Sequence, residues 1–470
     1  MTESKKTSNV QKLKESLLAK PVKPISFTKE AYAEADKYAE GYRDFLGAVK
    51  TEREAVKWAE ALAQKNGFVP FDPDKPFKPG DKVYRINRCK AIILATIGKR
   101  PIADGVSFAI AHIDSPRLDL KPNPLYEKGG LCYFDTHYYG GIKKYQWPTV
   151  PLALYGVVVR KDGSTVEVRI GDDEGDPVFV VTDLLIHLGK DQMRKTASEV
   201  IEGENLDILI GSRPFDDSKE ADLVKLNIMR ILNEKYGITE EDFKSAELEA
   251  VPAGKARDLG FDRSMIGAYG HDDRVCAYPA MTALMALKKP EFTAVTVLTD
   301  KEEIGSTGAS GMQAAYLDNF IADLAATEGV PGYRVLSRSL CLSADVNAAY
   351  DPIYPENFEL RNSSLLGNGV VLTKYTGSRG KYDTSDASAE LMGRFRRMMD
   401  AQDIAWQIGE LGKVDGGGGG TIAQYMANRD VDTVDLGVPV LCMHAPFEVI
   451  SKTDVYMAHK AFLALLSRKD

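Results

Sequence analysis

Beyond Pro252 the chain alternates short apolar stretches typical of buried strands with longer stretches of helical spacing. Examples are FTAVTVLTD, SLCLSADV and DTVDLGV for strands, and TDVYMAHKAFLALLS for a helix. Strand and helix in alternation predict an α/β fold with a doubly wound, mixed sheet. Ligands of such sheets bind at the carboxyl ends of the strands, so functional side chains are expected directly behind each strand.

The pattern changes between Arg117 and Val251. There the stretch TVPLALYGVVVRKDGSTVEVRIGDDEGDPVFVV alternates in strand fashion and contains a Lys-Asp-Gly hairpin signal, which predicts an antiparallel, β-rich unit. A chain of 470 residues also exceeds the size at which one core keeps growing. We therefore expect a discontinuous catalytic domain, residues 1–116 and 252–470, and an inserted domain, residues 117–251.

Composition excludes several partners. The net charge of −8 and the pI near 5.5 argue against binding to nucleic acid or to an anionic membrane surface. No stretch approaches the roughly 20 apolar residues of a membrane span. The five cysteines stand singly, which indicates neither a zinc ribbon nor a disulfide framework. We expect a cytoplasmic protein.

Side chains that bind hard metal ions follow several of the predicted strands. They are His112 and Asp114 in FAIAHID, Asp272 and Asp273 in AYGHDDR, Glu302 and Glu303 in VLTDKEE, Asp345 in LSADVN, and His444 in VLCMHAPFE. Imidazoles and carboxylates without thiolates are typical of a catalytic zinc site, or of manganese or cobalt in the same place. A carboxylate shared by two cations would explain how so much negative charge is tolerated.

Each of these motifs also has a simpler interpretation. Glu302 and Glu303 could be a solvated pair at a helix start, Asp272 and Asp273 could cap the helix that follows them, and His444 could be a core histidine. Their joint occurrence at the ends of separate strands favours the metal site.

Five motifs in order, AHIDSP, GHDDR, DKEEIGSTGASG, SADVNAAYDP and MHAPFE, resemble those of the aspartyl aminopeptidase family of dinuclear zinc exopeptidases, which includes the vacuolar aminopeptidase I type. The resemblance extends over nearly the whole chain. It implies an enzyme that hydrolyses the N-terminal residue from peptides with two divalent cations per subunit, zinc first, with cobalt or manganese possible.

The resemblance also implies how the metal ligands are divided. His112 and Asp345 would hold one cation, Glu303 and His444 the other, and Asp272 would bridge the pair. The family often has Asn where this chain has Asp273, which leaves open which of the two acids is the bridging ligand. A cis peptide bond between Asp272 and Asp273 is a further implication.

Two acids beside the ligands receive catalytic roles from the same resemblance. Glu302 would be the general base that takes the proton of a metal-bridging water. Asp114 would orient the ring of His112.

For the insert the resemblance implies a dimerisation domain. His187 in DLLIHLGKD would enter the active site of a neighbouring subunit and stabilise an oxyanion. Dimers of the family assemble into dodecamers, and we expect the same here.

The substrate is the least defined part of the sequence prediction. Arg379 and Lys381 lie in a segment that lines the specificity pocket in the family, where a basic group would bind an acidic N-terminal residue. Gly419 and Gly420 would let backbone amides approach the substrate. Neutral N-terminal residues remain open, because the vacuolar type prefers them.

Two other functions fit the same residues. A related dinuclear amidase or deacylase would act on N-acyl amino acids, and a scaffold of the same fold would have lost catalysis. Assays of aminoacyl p-nitroanilides against N-acetyl amino acids, with and without added metal, separate the three.

Overall fold

Apolar strands and the helices that cover them account for most of the chain. The computed structural model describes residues 9–19 and 23–470. The α-helices are α1 (Asn9–Leu17), α2 (Lys29–Ala48), α3 (Glu52–Lys65), α4 (Leu223–Tyr236), α5 (His271–Ala286), α6 (Tyr316–Ala326), α7 (Gly332–Leu336), α8 (Ala389–Ala401), α9 (Ala423–Ala427) and α10 (Lys452–Leu466).

The strands are β1 (Val69–Pro70), β2 (Lys82–Asn87), β3 (Ala91–Thr96), β4 (Val106–His112), β5 (Arg117–Lys128), β6 (Leu131–Tyr139), β7 (Leu152–Val159), β8 (Thr165–Ile170), β9 (Val180–Val181), β10 (Ile208–Gly211), β11 (Ala246–Pro252), β12 (Arg257–Leu259), β13 (Met265–Ala268), β14 (Thr293–Thr299), β15 (Leu340–Ala344), β16 (Asn347–Ala348), β17 (Val370–Thr373), β18 (Gly377–Ser378), β19 (Trp406–Ile408), β20 (Gly418–Gly419), β21 (Asp432–Gly437), β22 (Pro439–Leu441) and β23 (Glu448–Ser451).

The largest sheet has nine strands in the order β1-β2-β3-β14-β4-β15-β21-β17-β19. Its central strands β14, β4, β15 and β21 run parallel. Strand β3 pairs antiparallel with both β2 and β14, and β17 pairs antiparallel with β21, whereas the edge strands β1 and β19 pair parallel with β2 and β17. Every residue of β4, β14 and β15 is buried, as expected for strands that are covered on both faces.

Helices cover both faces of this sheet. Helices α2, α3, α5, α8 and α10 pack in one apolar core with residues such as Leu94 and Ala109, and α6, α7 and α9 pack in a second core with Ile93 and Phe108. Adjacent strand residues therefore point into opposite cores. This arrangement confirms the predicted α/β fold with a doubly wound mixed sheet.

A second sheet is formed by strands that lie within residues 117–252. It has seven strands in the order β8-β7-β11-β5-β6-β10-β9, and all its pairings are antiparallel. Its own apolar core contains Trp147, Leu154 and Phe243. We keep the name insert for residues 117–251.

A third sheet of five strands, β12-β13-β23-β22-β16, lies beside the carboxyl end of the large sheet. Strand β13 leads into α5, and β22 leads into the loop that carries His444. The third sheet therefore brings two further chain segments to the edge where the large sheet is expected to place its functional residues.

Among the residues that the structure describes, no helix combines the length and apolarity needed to cross a lipid bilayer.

Candidate metal centre

Three parallel strands of the large sheet deliver side chains to one place. His112 is the last residue of β4, Glu302 and Glu303 follow β14 on a short 3-10 helix, and Asp345 follows β15. His112, Glu302 and Asp345 offer ligand atoms that all lie within 4.8 Å of one another. The sheet topology alone produces this convergence, because the three strands run in the same direction.

The third sheet adds Asp272 and His444. Asp272 lies at the start of α5, and the Asp272–Asp273 peptide bond is cis, as the resemblance implies. Each oxygen of the Asp272 carboxylate faces a different imidazole. Oδ1 lies 3.1 Å from Nε2 of His112, and Oδ2 lies 3.2 Å from Nε2 of His444.

Two further separations complete the cluster. Nε2 of His112 lies 3.7 Å from Oδ1 of Asp345, and Nε2 of His444 lies 3.5 Å from Oε2 of Glu303. Zinc bonds of about 2.0–2.2 Å in a tetrahedron place neighbouring ligand atoms about 3.3–3.6 Å apart. The four observed separations are close to that range.

The atoms of the cluster are placed to bind cations and not to form hydrogen bonds with one another. Nε2 of His112, Oδ1 of Asp272 and Oε1 of Glu303 are buried and have no hydrogen-bond partner of acceptable geometry. Nδ1 of His112 lies 3.0 Å from the carbonyl oxygen of Asp114, and Nδ1 of His444 lies 2.7 Å from that of Gly141. A carbonyl oxygen only accepts, so Nδ1 of each ring donates and each Nε2 can present a lone pair to a metal.

Electrostatics also favours cations here. Burial raises the pKa of Glu302 to about 8, and neighbouring Asp345 adds to the rise. Burial and the charge of Asp272 raise the pKa of Glu303 well above its ordinary value. Burial would lower the pKa of His444, but its hydrogen bond to Asp272 and the charge of Glu303 raise it to about 11. The cluster therefore has an excess of negative charge that positive ions would neutralise.

Asp273 lies in the same cluster but differs in its contacts. It shares a possible ligand group with Asp272 and Asp345, and burial raises its pKa well above the ordinary value. Both its carboxylate oxygens are buried without a hydrogen-bond partner. The contacts to both histidines belong to Asp272.

Asp114 holds the surroundings of the cluster in place. Its Oδ1 accepts a hydrogen bond from the backbone nitrogen of Glu302, and its Oδ2 accepts one from that of Glu303, each at 3.2 Å. The hydroxyl of Tyr139 donates to Oδ2 as well, at 2.8 Å. Asp114 is thus tied both to the ring of His112 and to the segment that carries the two glutamates.

Sequence analysis missed a second acid of this kind, Glu448. Its Oε1 accepts from the backbone nitrogen of His444 at 2.7 Å, and its Oε2 accepts from that of Asp272 at 3.1 Å. Burial raises the pKa of Glu448 to about 7, with the charge of Asp272 contributing. Its position in MHAPFE, four residues after His444, was the available signal.

A cavity of about 560 Å³ opens over the cluster. Gly419 and Gly420 line it together with Leu411, Met443 and Asp383. The volume lies within the range of about 300–1,000 Å³ that is usual for small-molecule sites.

Arg379 and Lys381 lie elsewhere. They line a neighbouring cavity of about 50 Å³. The Lys381 ammonium lies 2.8 Å from a carboxylate oxygen of Asp386 and 3.7 Å from the centre of the Tyr375 ring. Lys381 is therefore already paired within its own loop.

His187 is exposed in a turn of the insert, and it is absent from the lining of its own chain's cavity. Its neighbours Leu184, Leu185, Ile186 and Leu188 are between 48% and 68% exposed. The insert thus presents an apolar loop with a histidine at its centre.

Comparisons with known proteins identify the family of this chain. Residues 45–465 match the family described as aminopeptidase I zinc metalloprotease (M18). A probable M18 family aminopeptidase 1 of Clostridium acetobutylicum is 51% identical over 447 residues, which cover 93% of this chain and 95% of the relative. The crystal structure of an M18 aminopeptidase from Thermotoga maritima superimposes with a TM-score of 0.90 at 42% identity and covers 95% of this chain and 100% of its own.

A more distant structure shares the fold. The aminopeptidase 1 dodecamer of Saccharomyces cerevisiae matches with a TM-score of 0.73 at 21% identity, covering 92% of this chain and 96% of its own.

Fold, cluster and cavity are those expected of a metal-dependent hydrolase. The chain belongs to the M18 family of aminopeptidase I zinc metalloproteases. It is a metalloaminopeptidase, which confirms the function implied by the five sequence motifs.

Proposed function

We propose that the enzyme works with two divalent cations, zinc in the first place, and that Asp272 lies between them. His112 and Asp345 would hold one cation, and Glu303 and His444 the other. The observation that carries this proposal is the pair of contacts of Asp272, one oxygen 3.1 Å from the first imidazole and the other 3.2 Å from the second. A carboxylate whose two oxygens face two different imidazoles is suited to bridge two metals.

Glu302 is the proposed general base. Two divalent cations bound here would lower the pKa of water and polarise the scissile carbonyl. Glu302 lines the cavity. One of its carboxylate oxygens lies within 4.8 Å of ligand atoms of His112 and Asp345. From there its carboxylate can accept the proton of the attacking water and return it to the leaving amine. Asp114 fixes the backbone of Glu302 and so keeps that carboxylate in reach.

Replacing Glu302 by Gln tests this role. The amide keeps the shape of the side chain but cannot accept the proton, so we expect kcat to fall by about 10²- to 10⁴-fold. Zinc content measured after dialysis should stay unchanged. The exposed Glu356→Gln is the matched control and should behave like the wild type. A Glu302→Gln enzyme with more than a tenth of wild-type kcat contradicts the assignment.

For the substrate we propose neutral N-terminal residues in preference to acidic ones. Among the described residues that line the cavity there is no Lys or Arg, and Leu411, Met443 and Val346 contribute apolar surface. Asp383 lines the cavity as well, and its carboxylate would repel an acidic substrate side chain. Arg379 and Lys381 line the neighbouring cavity instead, and the Lys381 ammonium is paired with Asp386.

A panel of aminoacyl p-nitroanilides checks this preference. We expect kcat/KM for leucyl p-nitroanilide to exceed that for the aspartyl compound by at least about tenfold, since an unpaired buried charge is costly. N-acetyl-leucine in the same panel should not be hydrolysed. Preferred cleavage of the aspartyl compound would restore the basic loop as the specificity element, and cleavage of N-acetyl-leucine would indicate a deacylase.

The insert is the proposed dimerisation domain. Its loop at residues 183–190 exposes the four apolar side chains around His187. We propose that this loop crosses to a neighbouring subunit, where His187 stabilises the oxyanion, and that dimers assemble into dodecamers like the yeast enzyme.

Mixed oligomers test whether His187 acts across subunits. His187→Ala and Glu302→Gln chains should each be nearly inactive alone. Co-expressed in equal amounts they would form heterodimers with one intact site, which gives about a quarter of wild-type activity from random pairing. If His187 served its own subunit, no pairing could restore a complete site. Activity of the mixture equal to the mean of the two parents would therefore contradict the proposal.

We also propose a cytoplasmic location and no nucleic-acid partner. All five cysteines are free in the structure, which is usual for a reducing compartment. The net charge of −8 offers no basic surface footprint.

A further inference from the structure

The insert reaches the metal cluster at one short segment. Strand β6 ends at Tyr139, and Gly140 and Gly141 follow it. This segment contacts three of the side chains around the cluster, although it belongs to the insert and not to the large sheet.

The first contact is the hydroxyl of Tyr139. It donates to Oδ2 of Asp114 at 2.8 Å. Asp114 in turn lies beside Nδ1 of His112, with 3.4 Å between that nitrogen and Oδ1. A hydrogen bond from Tyr139 fixes the rotation of the Asp114 carboxylate beside the His112 ring. It also steadies the residue whose carbonyl oxygen accepts from Nδ1 of His112 at 3.0 Å.

The second and third contacts come from the two glycines. The carbonyl oxygen of Gly141 accepts from Nδ1 of His444 at 2.7 Å. Gly140 has φ +78°, and a Cβ there would lie 3.2 Å from a carboxylate oxygen of Glu303. A side chain at this position would be strained by the positive φ and would crowd Glu303, so glycine suits the close passage of the backbone.

Tyr139 is itself held firmly. It is 7% exposed, and the guanidinium of Arg117 lies 3.9 Å from the centre of its ring. Arg117 is the register partner of Tyr139 on β5. Its guanidinium lies 3.4 Å from Glu52 in the large domain and 3.3 Å from Glu249 in the insert. The ring of Tyr139 is thus packed against a cation that is anchored on both sides of the domain boundary.

We propose that Tyr139 is a positioning residue for the metal site: through Asp114 it sets the orientation of His112, so the insert contributes directly to metal affinity. The inference rests on the proposed metal ligands. It adds to the insert a role inside its own subunit, separate from the role of His187 in a neighbouring one.

The test is zinc affinity of Tyr139→Phe, measured by competition with a chromophoric chelator on the full-length oligomer. Loss of a hydrogen bond to a carboxylate behind a metal-bound histidine costs about 10- to 100-fold in metal affinity. We expect a loss of this size, together with a lower kcat and a KM within about twofold of the wild type.

Tyr155→Phe is the matched control. Tyr155 is a buried tyrosine of the same sheet whose hydroxyl donates to a carboxylate, Oδ2 of Asp172, at 2.6 Å. Asp172 also binds Gly254 and Lys50 and does not line the cavity over the cluster. Zinc affinity of Tyr155→Phe should equal that of the wild type. Equal affinities of both variants, whether unchanged or reduced together, would overturn the proposal.

A double-mutant cycle gives a second, independent readout. If Tyr139 acts through Asp114, the Tyr139→Phe change should weaken zinc binding no further once Asp114 is replaced by Asn. Additive losses in the double variant would overturn the proposal. Wild-type protein that binds no zinc would overturn the proposed metal site as well, whereas normal zinc binding by wild type and by Tyr139→Phe would overturn the role of Tyr139 alone.

Discussion

Crowding of buried carboxylates is the constraint on which the site depends. Five carboxylates lie at one end of the sheet, and each is desolvated by burial. They belong to Asp272, Asp273, Glu302, Glu303 and Asp345. In a medium of low polarity like charges at such separations repel strongly, so positive charge among these carboxylates would stabilise their ionised forms. The two imidazoles alone supply less positive charge than the five acids require, which is why we infer divalent cations.

Around this centre the fold provides groups that fix orientation. Asp114 ties His112 to the backbone of Glu302 and Glu303, and Glu448 ties the backbone of Asp272 to that of His444. Both acids accept from more than one donor, so each fixes two chain segments at once. Rotation of either acid would move a proposed ligand of each cation, and such sites tolerate little displacement.

Much of the candidate site could be predicted from the sequence because the place where a strand ends is a local property of the chain. The run Thr293–Thr299 consists of β-branched and apolar residues and is buried throughout, so the position of Glu302 and Glu303 behind it follows from the pattern. The same reasoning found His112 and Asp345, and the structure brings all four together. Glu448, Tyr139 and Gly141 were missed because their roles arise from contacts between distant segments. The role of the basic loop in substrate binding stays a prediction, and the pairing of Lys381 with Asp386 is a contact that the sequence pattern does not show.

Anomalous diffraction from crystals grown with zinc tests the two-cation centre most directly. Data collected on both sides of the zinc absorption edge should give two peaks per subunit, about 3.5–4 Å apart. One peak should lie between His112 and Asp345, the other between Glu303 and His444, with the Asp272 carboxylate between them. A single peak, or zinc bound only at a distance from Asp272, would contradict the account.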